Sequence, residues 1–243
     1  MSLLICFLIS ITTAFLINLI CNHYNFLVYD PKEFHKEKFD KKIFVNGGLI
    51  TFVYSIFIYI LFYEILKFNY IYVVYFLLIF LLGFLSDLTS VSANKRLALL
   101  SLITILFVYL SSNNITDLKF NILNDLFNEY FILSIIFTAL CLVILINGLN
   151  FIDGVHGLAI LYCIITILFL NFYNYQILGE EIISSFSIKL LPVLIVIFYL
   201  NLKEKIFFGD CGAYYLGAFL GIIIIDQTNI EKMSNPYLYA NLL

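Results

Sequence analysis

Residues 130–159 read YFILSIIFTALCLVILINGLNFIDGVHGLA. From 130 to 147 the run carries no charge, and it approaches the roughly 20 apolar residues that a helix needs to cross a bilayer. Polar side chains then enter at a fixed interval. Asn147, Asn150 and Asp153 are spaced by three, which lines them along one side of a helical turn. Such groups are costly against lipid, so a regular stripe at the end of an apolar helix is read as functional. Gly154 and Gly157 then break the helix and expose backbone N–H groups that suit phosphate or nucleobase contacts. His156 lies between them; a lone histidine so placed is more often a hydrogen-bonded structural group than an acid–base catalyst.

The rest of the chain repeats this alternation of long apolar runs and short polar ends. Of 243 residues, 63% are hydrophobic and 12% charged, with a mean hydropathy of +1.04. Soluble domains have about 25% charged residues, so the bilayer must solvate most of this surface. Spans are expected near 2–22, 47–66, 70–85, 97–111, 130–147, 158–173, 186–200 and 212–227. The first lacks the charged start and small-residue cleavage site of a signal peptide and is kept as a transmembrane helix. After Pro236 a further apolar run begins, with seven residues present. The expectation is an all-α polytopic transmembrane bundle, one domain over 1–243, with eight full spans and the start of a ninth. Cys6, Cys21, Cys141 and Cys163 read as small buried hydrophobes. No nucleic-acid partner is expected.

Lys and Arg set the sidedness. One side carries Lys32, Lys36, Lys38, Lys41, Lys42, Lys95, Arg96, Lys203 and Lys205; the other carries Lys67, Lys119, Lys189 and Lys232. The nine-to-four excess makes the first side cytoplasmic and puts the N-terminus outside. The topology depends on hydropathy and Lys/Arg alone, yet Asp87, Asp153 and Asp210 all fall at helix ends on the basic side, each with glycine nearby. That placement suggests one shared site.

Three further segments face that side. In 29–50, a basic loop leads to Gly47-Gly48, where paired glycines allow close approach of a ligand or another helix. In 83–100, Asp87 is followed by Lys95 and Arg96. A carboxylate with two cations suits a metal-bound diphosphate, and the alternative is a helix cap with a membrane-edge anchor. In 201–217, Gly-Asp-Cys-Gly sets Asp210 between glycines at a helix mouth, where a hard cation would accept its oxygens. Cys211 reads as a packing residue rather than a nucleophile, because no histidine base has local support.

Together these segments resemble the polyprenyl-phosphate N-acetylhexosamine-1-phosphate transferases, glycosyltransferase family 4. That family includes the undecaprenyl-phosphate GlcNAc-1-phosphate transferases and the phospho-N-acetylmuramoyl-pentapeptide transferases. The resemblance rests on Asn-x-x-Asn-x-x-Asp-Gly-x-x-Gly-Leu-Ala at 147–159, on Phe-Phe-Gly-Asp-Cys-Gly-Ala at 207–213 and on Gly47-Gly48 after a basic loop. It implies a reaction in which the lipid phosphate attacks the β-phosphorus of a UDP-sugar and UMP leaves, with Mg²⁺, or Mn²⁺ in its place. By this resemblance Asp87, Asp153 and Asp210 are the catalytic carboxylates, and Asp210 with Asp153 holds the metal. Asn147 and Asn150 shape the nucleotide and metal site with Asp153. Asp87 sits near the lipid phosphate as base or electrostatic organiser. Lys95 or Arg96 pairs with phosphate oxygens, Gly154 to Gly157 borders the uridine with His156 among them, and Gly47 and Gly48 lie against the substrates. The implied setting is the cytoplasmic face of a bacterial inner membrane, in an O-antigen or other cell-wall glycan pathway, with a homodimer left open.

The chain departs from the family pattern in three places. Ser86-Asp87 stands where the family has paired aspartates, with Ser90 three residues beyond. His156 stands where the family has a second Asp. The family's His/Arg-rich loop, which contacts the diphosphate, would lie beyond Leu243. Two other functions share parts of this pattern. An inactive relative that only assembles with membrane enzymes would bind the nucleotide-sugar without turnover, or do neither. A cation- or proton-coupled transporter would show an internal repeat and midplane charges, and this sequence shows neither.

Overall fold

The computed structural model describes residues 3–28, 44–62, 69–89, 91–115, 118, 121–177 and 182–230. Among these residues the helices are α1 (Leu3–Tyr24), α2 (Gly47–Leu61), α3 (Tyr70–Leu88), α4 (Ala93–Ser111), α5 (Asn121–Glu129), α6 (Phe131–Ile152), α7 (Leu158–Ile177), α8 (Ile182–Leu202) and α9 (Gly209–Ile230). Helices are the expected form, since a lipid-embedded backbone must satisfy its own hydrogen bonds. Five of them, α1, α3, α4, α6 and α9 as far as Asp226, are long and apolar enough to cross a membrane. The described parts of α2, α7 and α8 are apolar over shorter stretches, Gly47–Leu61, Leu158–Phe172 and Phe186–Leu202. Each of the eight expected spans therefore has its helix, and the protein is an all-α, multi-pass membrane bundle.

The bundle is built around α9. Of its apolar window 89% is buried, against 28% for α1 and for α3. A helix that is hydrophobic all round belongs in an interior, and α9 serves two cores at once. Tyr215, Leu216, Phe219 and Ile223 pack with α1, α2, α7 and α8. Tyr214, Ala218, Ile222 and Ile225 pack with α3, α4 and α6. Small residues let neighbouring backbones come close, as membrane helix packing requires. A Cβ at Gly217 would lie 2.8 Å from the Ile146 Cα.

Two short strands, β1 (Phe44–Val45) and β2 (Ile206–Phe207), pair in parallel, Phe44 with Ile206 and Val45 with Phe207. Each leads directly into a helix that starts on glycine, α2 at Gly47 and α9 at Gly209. The Gly48 N–H donates to the Phe208 carbonyl at 2.8 Å. The pair thus holds two helix N-termini side by side at one end of the bundle.

Lys189 lies inside α8, which begins at Ile182, as the expected span 186–200 has it. Its ammonium lies over the Phe62 ring, 4.8 Å from the centroid. A long stem of this kind lets a helical lysine carry its charge away from the apolar interior. Lys32, Lys36, Lys38, Lys41, Lys42, Lys67, Lys119 and Lys232 lie outside the described residues, as does the run after Pro236.

The far end of α9 carries a polar cluster that the sequence reading did not single out. Asn113 Nδ2 donates to the Tyr72 hydroxyl at 3.1 Å and to Asp226 Oδ1. Next to it, Asn114 Nδ2 donates to Ser134 Oγ at 2.6 Å, and the Ile115 N–H donates to Thr138 Oγ1 at 2.9 Å. These bonds tie the loop after α4 to α3, α6 and α9. Replacing Asp226 by Ala removes the acceptor from a mostly buried donor, a loss of about 1–3 kcal/mol. The thermal midpoint in detergent should fall. Asp226→Asn should recover most of it, because its carbonyl still accepts from Asn113. Equal midpoints for wild type and Asp226→Ala would refute the tie.

Candidate active site

Helices α3, α4, α6 and α9 end or begin at the β1–β2 end of the bundle, and their polar side chains meet at the first turn of α9. That turn starts at Gly209, whose φ of +83° suits glycine and few other residues. The first N–H groups of a helix have no intrahelical acceptor and sit at the positive end of its dipole. Here they are met by carboxylates from two other helices. The Asp210 and Cys211 N–H groups donate to Asp87 Oδ1 and Oδ2 at 2.8 and 3.0 Å. The Gly209 N–H donates to Asp153 Oδ2 at 3.1 Å. Asp87 is therefore a helix cap, but for a helix that begins 122 residues later in the chain.

The third carboxylate, Asp210, projects from the same turn. Its Oδ1 accepts from Asn150 Nδ2 at 2.6 Å. Its Oδ2 accepts from the Ser86 hydroxyl at 2.5 Å and from Arg96 Nη1, which also donates to Ser86 Oγ at 2.9 Å. The side chains of Arg96 and Asp210 are 25% and 23% exposed, so this ion pair is reachable from water and is not sealed in the core. The structure thus joins Asp87, Asn150, Asp153, Asp210 and Arg96 in one cluster.

The other expected site residues fall around or outside it. Asn147 turns back on its own helix and donates to the Val143 carbonyl at 2.9 Å. Lys95 is exposed, so of the two neighbouring cations it is Arg96 that enters the cluster. Gly154 and His156 are exposed, and the His156 ring lies on Phe207, 5.4 Å between centroids and 13° from parallel. Gly157 is buried, with a Cβ there only 2.8 Å from the Phe198 ring. Gly47 and Gly48 are buried beneath the α9 turn, and a Cβ on Gly48 would reach 2.5 Å from Cys211 Sγ. Of the two approaches that paired glycines allow, the one seen is to another helix. Cys211 is fully buried, as a packing residue should be.

Two contributors carried no functional reading in the sequence. Ser86 stood out only as a departure from a paired-aspartate pattern, yet it bridges Arg96 and Asp210. Gly83 has a virtual Cβ 2.6 Å from the Cys211 Cα, so α3 can approach the α9 turn only because that side chain is missing. A glycine one helical turn before Asp87 was the available signal.

The family described as glycosyl transferase family 4 matches residues 69–228, the stretch from α3 to α9 that supplies every residue of this cluster. The chain belongs to glycosyl transferase family 4. Three curated relatives are each named phospho-N-acetylmuramoyl-pentapeptide-transferase. That of Dictyoglomus thermophilum is 29% identical over 152 residues, 60% of this chain and 48% of the relative. That of Clostridium beijerinckii is 27% identical over 155 residues, 59% of this chain and 47% of the relative. That of Dictyoglomus turgidum is 32% identical over 79 residues, 32% of this chain and 25% of the relative. The matched stretches span about half the length of these relatives or less. Within the family frame, the multi-pass helices and the cluster at one end of the bundle describe an integral membrane member of glycosyl transferase family 4.

Proposed function

We propose that the chain transfers an N-acetylhexosamine-1-phosphate, or a closely related sugar phosphate, from a UDP-sugar to polyprenyl phosphate, releasing UMP. The reaction takes place at the cytoplasmic face of a bacterial inner membrane and opens a cell-surface glycan pathway. The observation that carries this reading is the convergence of Asp87, Asp153 and Asp210 with Arg96 on one helix N-terminus. That end of the bundle also presents Lys203 and Lys205, which the positive-inside rule assigns to the cytoplasm.

In the reaction, an oxygen of the lipid phosphate bonds to the β-phosphorus while the bond to the UMP oxygen breaks. Transfers of this kind depend chiefly on positioning and charge neutralisation. A phosphate monoester with a second pKa near 6 is already ionised at neutral pH, so the nucleophile needs no base. This suits Asp87, whose two oxygens are occupied by backbone N–H groups and which serves as organiser. In this reading Arg96 pairs with phosphate oxygens in a forked contact.

The donor set fits a hard divalent cation. It offers the Asp210 carboxylate, the Ser86 hydroxyl and the Asn150 amide, all oxygen ligands once donors rotate away. Among the described residues no three His, Cys, Asp or Glu side chains group as a metal cage. Mg²⁺ is usually held by one or two carboxylates, water and substrate phosphates, and Asp210 supplies one such carboxylate. When bound, such an ion would neutralise the diphosphate as the bond to UMP breaks.

The test uses membranes containing this chain, polyprenyl phosphate and labelled donors, with UDP-GlcNAc and UDP-MurNAc-pentapeptide in separate arms. Mg²⁺-dependent appearance of labelled lipid in one arm is the expected result, and mass spectrometry of that lipid identifies the sugar. No labelled lipid in either arm would remove the activity.

A further inference from the structure

Both carboxylate oxygens of Asp210 are engaged by the chain's own donors. Asn150 holds Oδ1 at 2.6 Å, and Ser86, at 2.5 Å, shares Oδ2 with Arg96. The position where a cation would neutralise this carboxylate is filled by the chain's own guanidinium. Ser86 matters to that outcome. Its hydroxyl donates to Asp210 and accepts from Arg96 at 2.9 Å, so it links the two without adding charge. A carboxylate at position 86 would bring a second negative charge against Asp210 and call for a stronger cation.

The guanidinium is not well served in this position. Arg96 Nε–H is buried and finds no acceptor among the described residues. An unmet buried donor is unfavourable, whereas a phosphate offers planar, two-point contacts that match the guanidinium fork. Arg96 thus has a partner it holds with one nitrogen, Asp210, and has unspent donors for an anion.

We propose that Arg96 is a latch on the cation site: Arg96 and a divalent cation compete for Asp210, and the incoming diphosphate releases the carboxylate by drawing the guanidinium onto its own oxygens. This rests on the reading of Asp210 as the cation ligand. Arg96 is then a positioning residue with opposite effects on two ligands. It weakens cation binding when no donor is present, and it strengthens donor binding. An arginine that only supports the fold would, when removed, weaken both.

Mn²⁺ binding to the purified full chain in detergent, followed by the electron paramagnetic resonance signal of the free ion, separates these cases without turnover. Arg96→Gln should bind Mn²⁺ about 10-fold more tightly than wild type without nucleotide, the scale set by loss of one partly exposed like charge. The same variant should bind UDP-GlcNAc about 10-fold more weakly, as expected for loss of one charge-assisted contact. Arg96→Lys keeps the charge and should bind Mn²⁺ within a few-fold of wild type, and it serves alone if Arg96→Gln does not fold. Mn²⁺ binding unchanged or weakened in Arg96→Gln would overturn the latch while leaving the cation site standing, as would a 10-fold gain in Arg96→Lys. If neither wild type nor Arg96→Gln binds Mn²⁺, or if Asp210→Asn binds it as well as wild type, the reading of Asp210 falls and the latch with it.

Discussion

Replacing Asp210 by Asn lowers the formation of lipid-linked product about 10³-fold, equivalent to about 4 kcal/mol of transition-state stabilisation, and leaves the protein folded. The two halves of this expectation have different causes. Asn has nearly the same shape as Asp and keeps one acceptor oxygen. That oxygen can stay with Ser86 and Arg96, which now hold Oδ2. The new amide then faces Asn150, which can turn its own carbonyl inward to accept. The hydrogen bonds can therefore be remade, and the thermal midpoint in detergent should move little. The charge cannot be remade. A neutral residue 210 offers a hard cation far less than a carboxylate does, and it leaves Arg96 without its counter-ion. Asp87→Asn should behave in the opposite sense. Both Asp87 oxygens accept backbone N–H groups, at 2.8 and 3.0 Å. An amide in that place sets one N–H against another, at a cost of about 1–3 kcal/mol. The midpoint should drop with activity. Labelling by Asp210→Asn at the wild-type rate would exclude residue 210 from the chemistry.

The contrast between those two carboxylates shows what the sequence could and could not convey. The spans were legible, because a run such as 130–147 has no alternative to lipid or core. So was the presence of Asp87, Asp153 and Asp210 at one end, since hydropathy and lysine placement together set the side on which each helix ends. Their division of labour was not. Whether a carboxylate faces a cation or the N–H groups of another helix depends on the rotation and height of α3 against α9, and no local pattern encodes either. Asn147 illustrates the same limit: its spacing matches Asn150 and Asp153, yet it bonds within its own helix. The β1–β2 pair escaped because two-residue strands have no period to read. α5, nine residues long, is far shorter than the roughly 20 residues that make a span legible. Asp226 sits 16 residues after Asp210 in an apolar helix, about 24 Å along it. It was visible as an intramembrane acid, but its partners Asn113 and Tyr72 come from elements more than 100 residues away.

If the site is made by the approach of α3 to the first turn of α9, then Gly83→Ala should disable it without touching a single functional group. A Cβ at position 83 would stand 2.6 Å from the Cys211 Cα, 2.7 Å from the Asp210 carbonyl oxygen and 2.8 Å from the Asp210 carbonyl carbon. All three atoms are backbone, so no side chain can rotate out of the way. Carbon atoms pack at about 3.5–4.0 Å, so the two helices must part by about 1 Å or rotate. Either movement stretches the Asp87 bonds to the Asp210 and Cys211 N–H groups beyond hydrogen-bonding range and carries Ser86 away from Asp210. Overpacking of this kind costs about 1–3 kcal/mol of stability, and a 1 Å displacement of reacting groups costs about 10²-fold in rate. Both should be seen together: a lower thermal midpoint, and a rate per folded molecule reduced about 10²-fold. Gly148→Ala is the matched control. Gly148 also lies within a helix, but a Cβ there meets nothing within 4 Å, and alanine favours a helix over glycine by about 1 kcal/mol. That variant should be as active as wild type and at least as stable. If Gly83→Ala matched it in both measurements, the α3–α9 contact would not be what holds the carboxylates in place, and the cluster would have to be held by α6 and β2 alone.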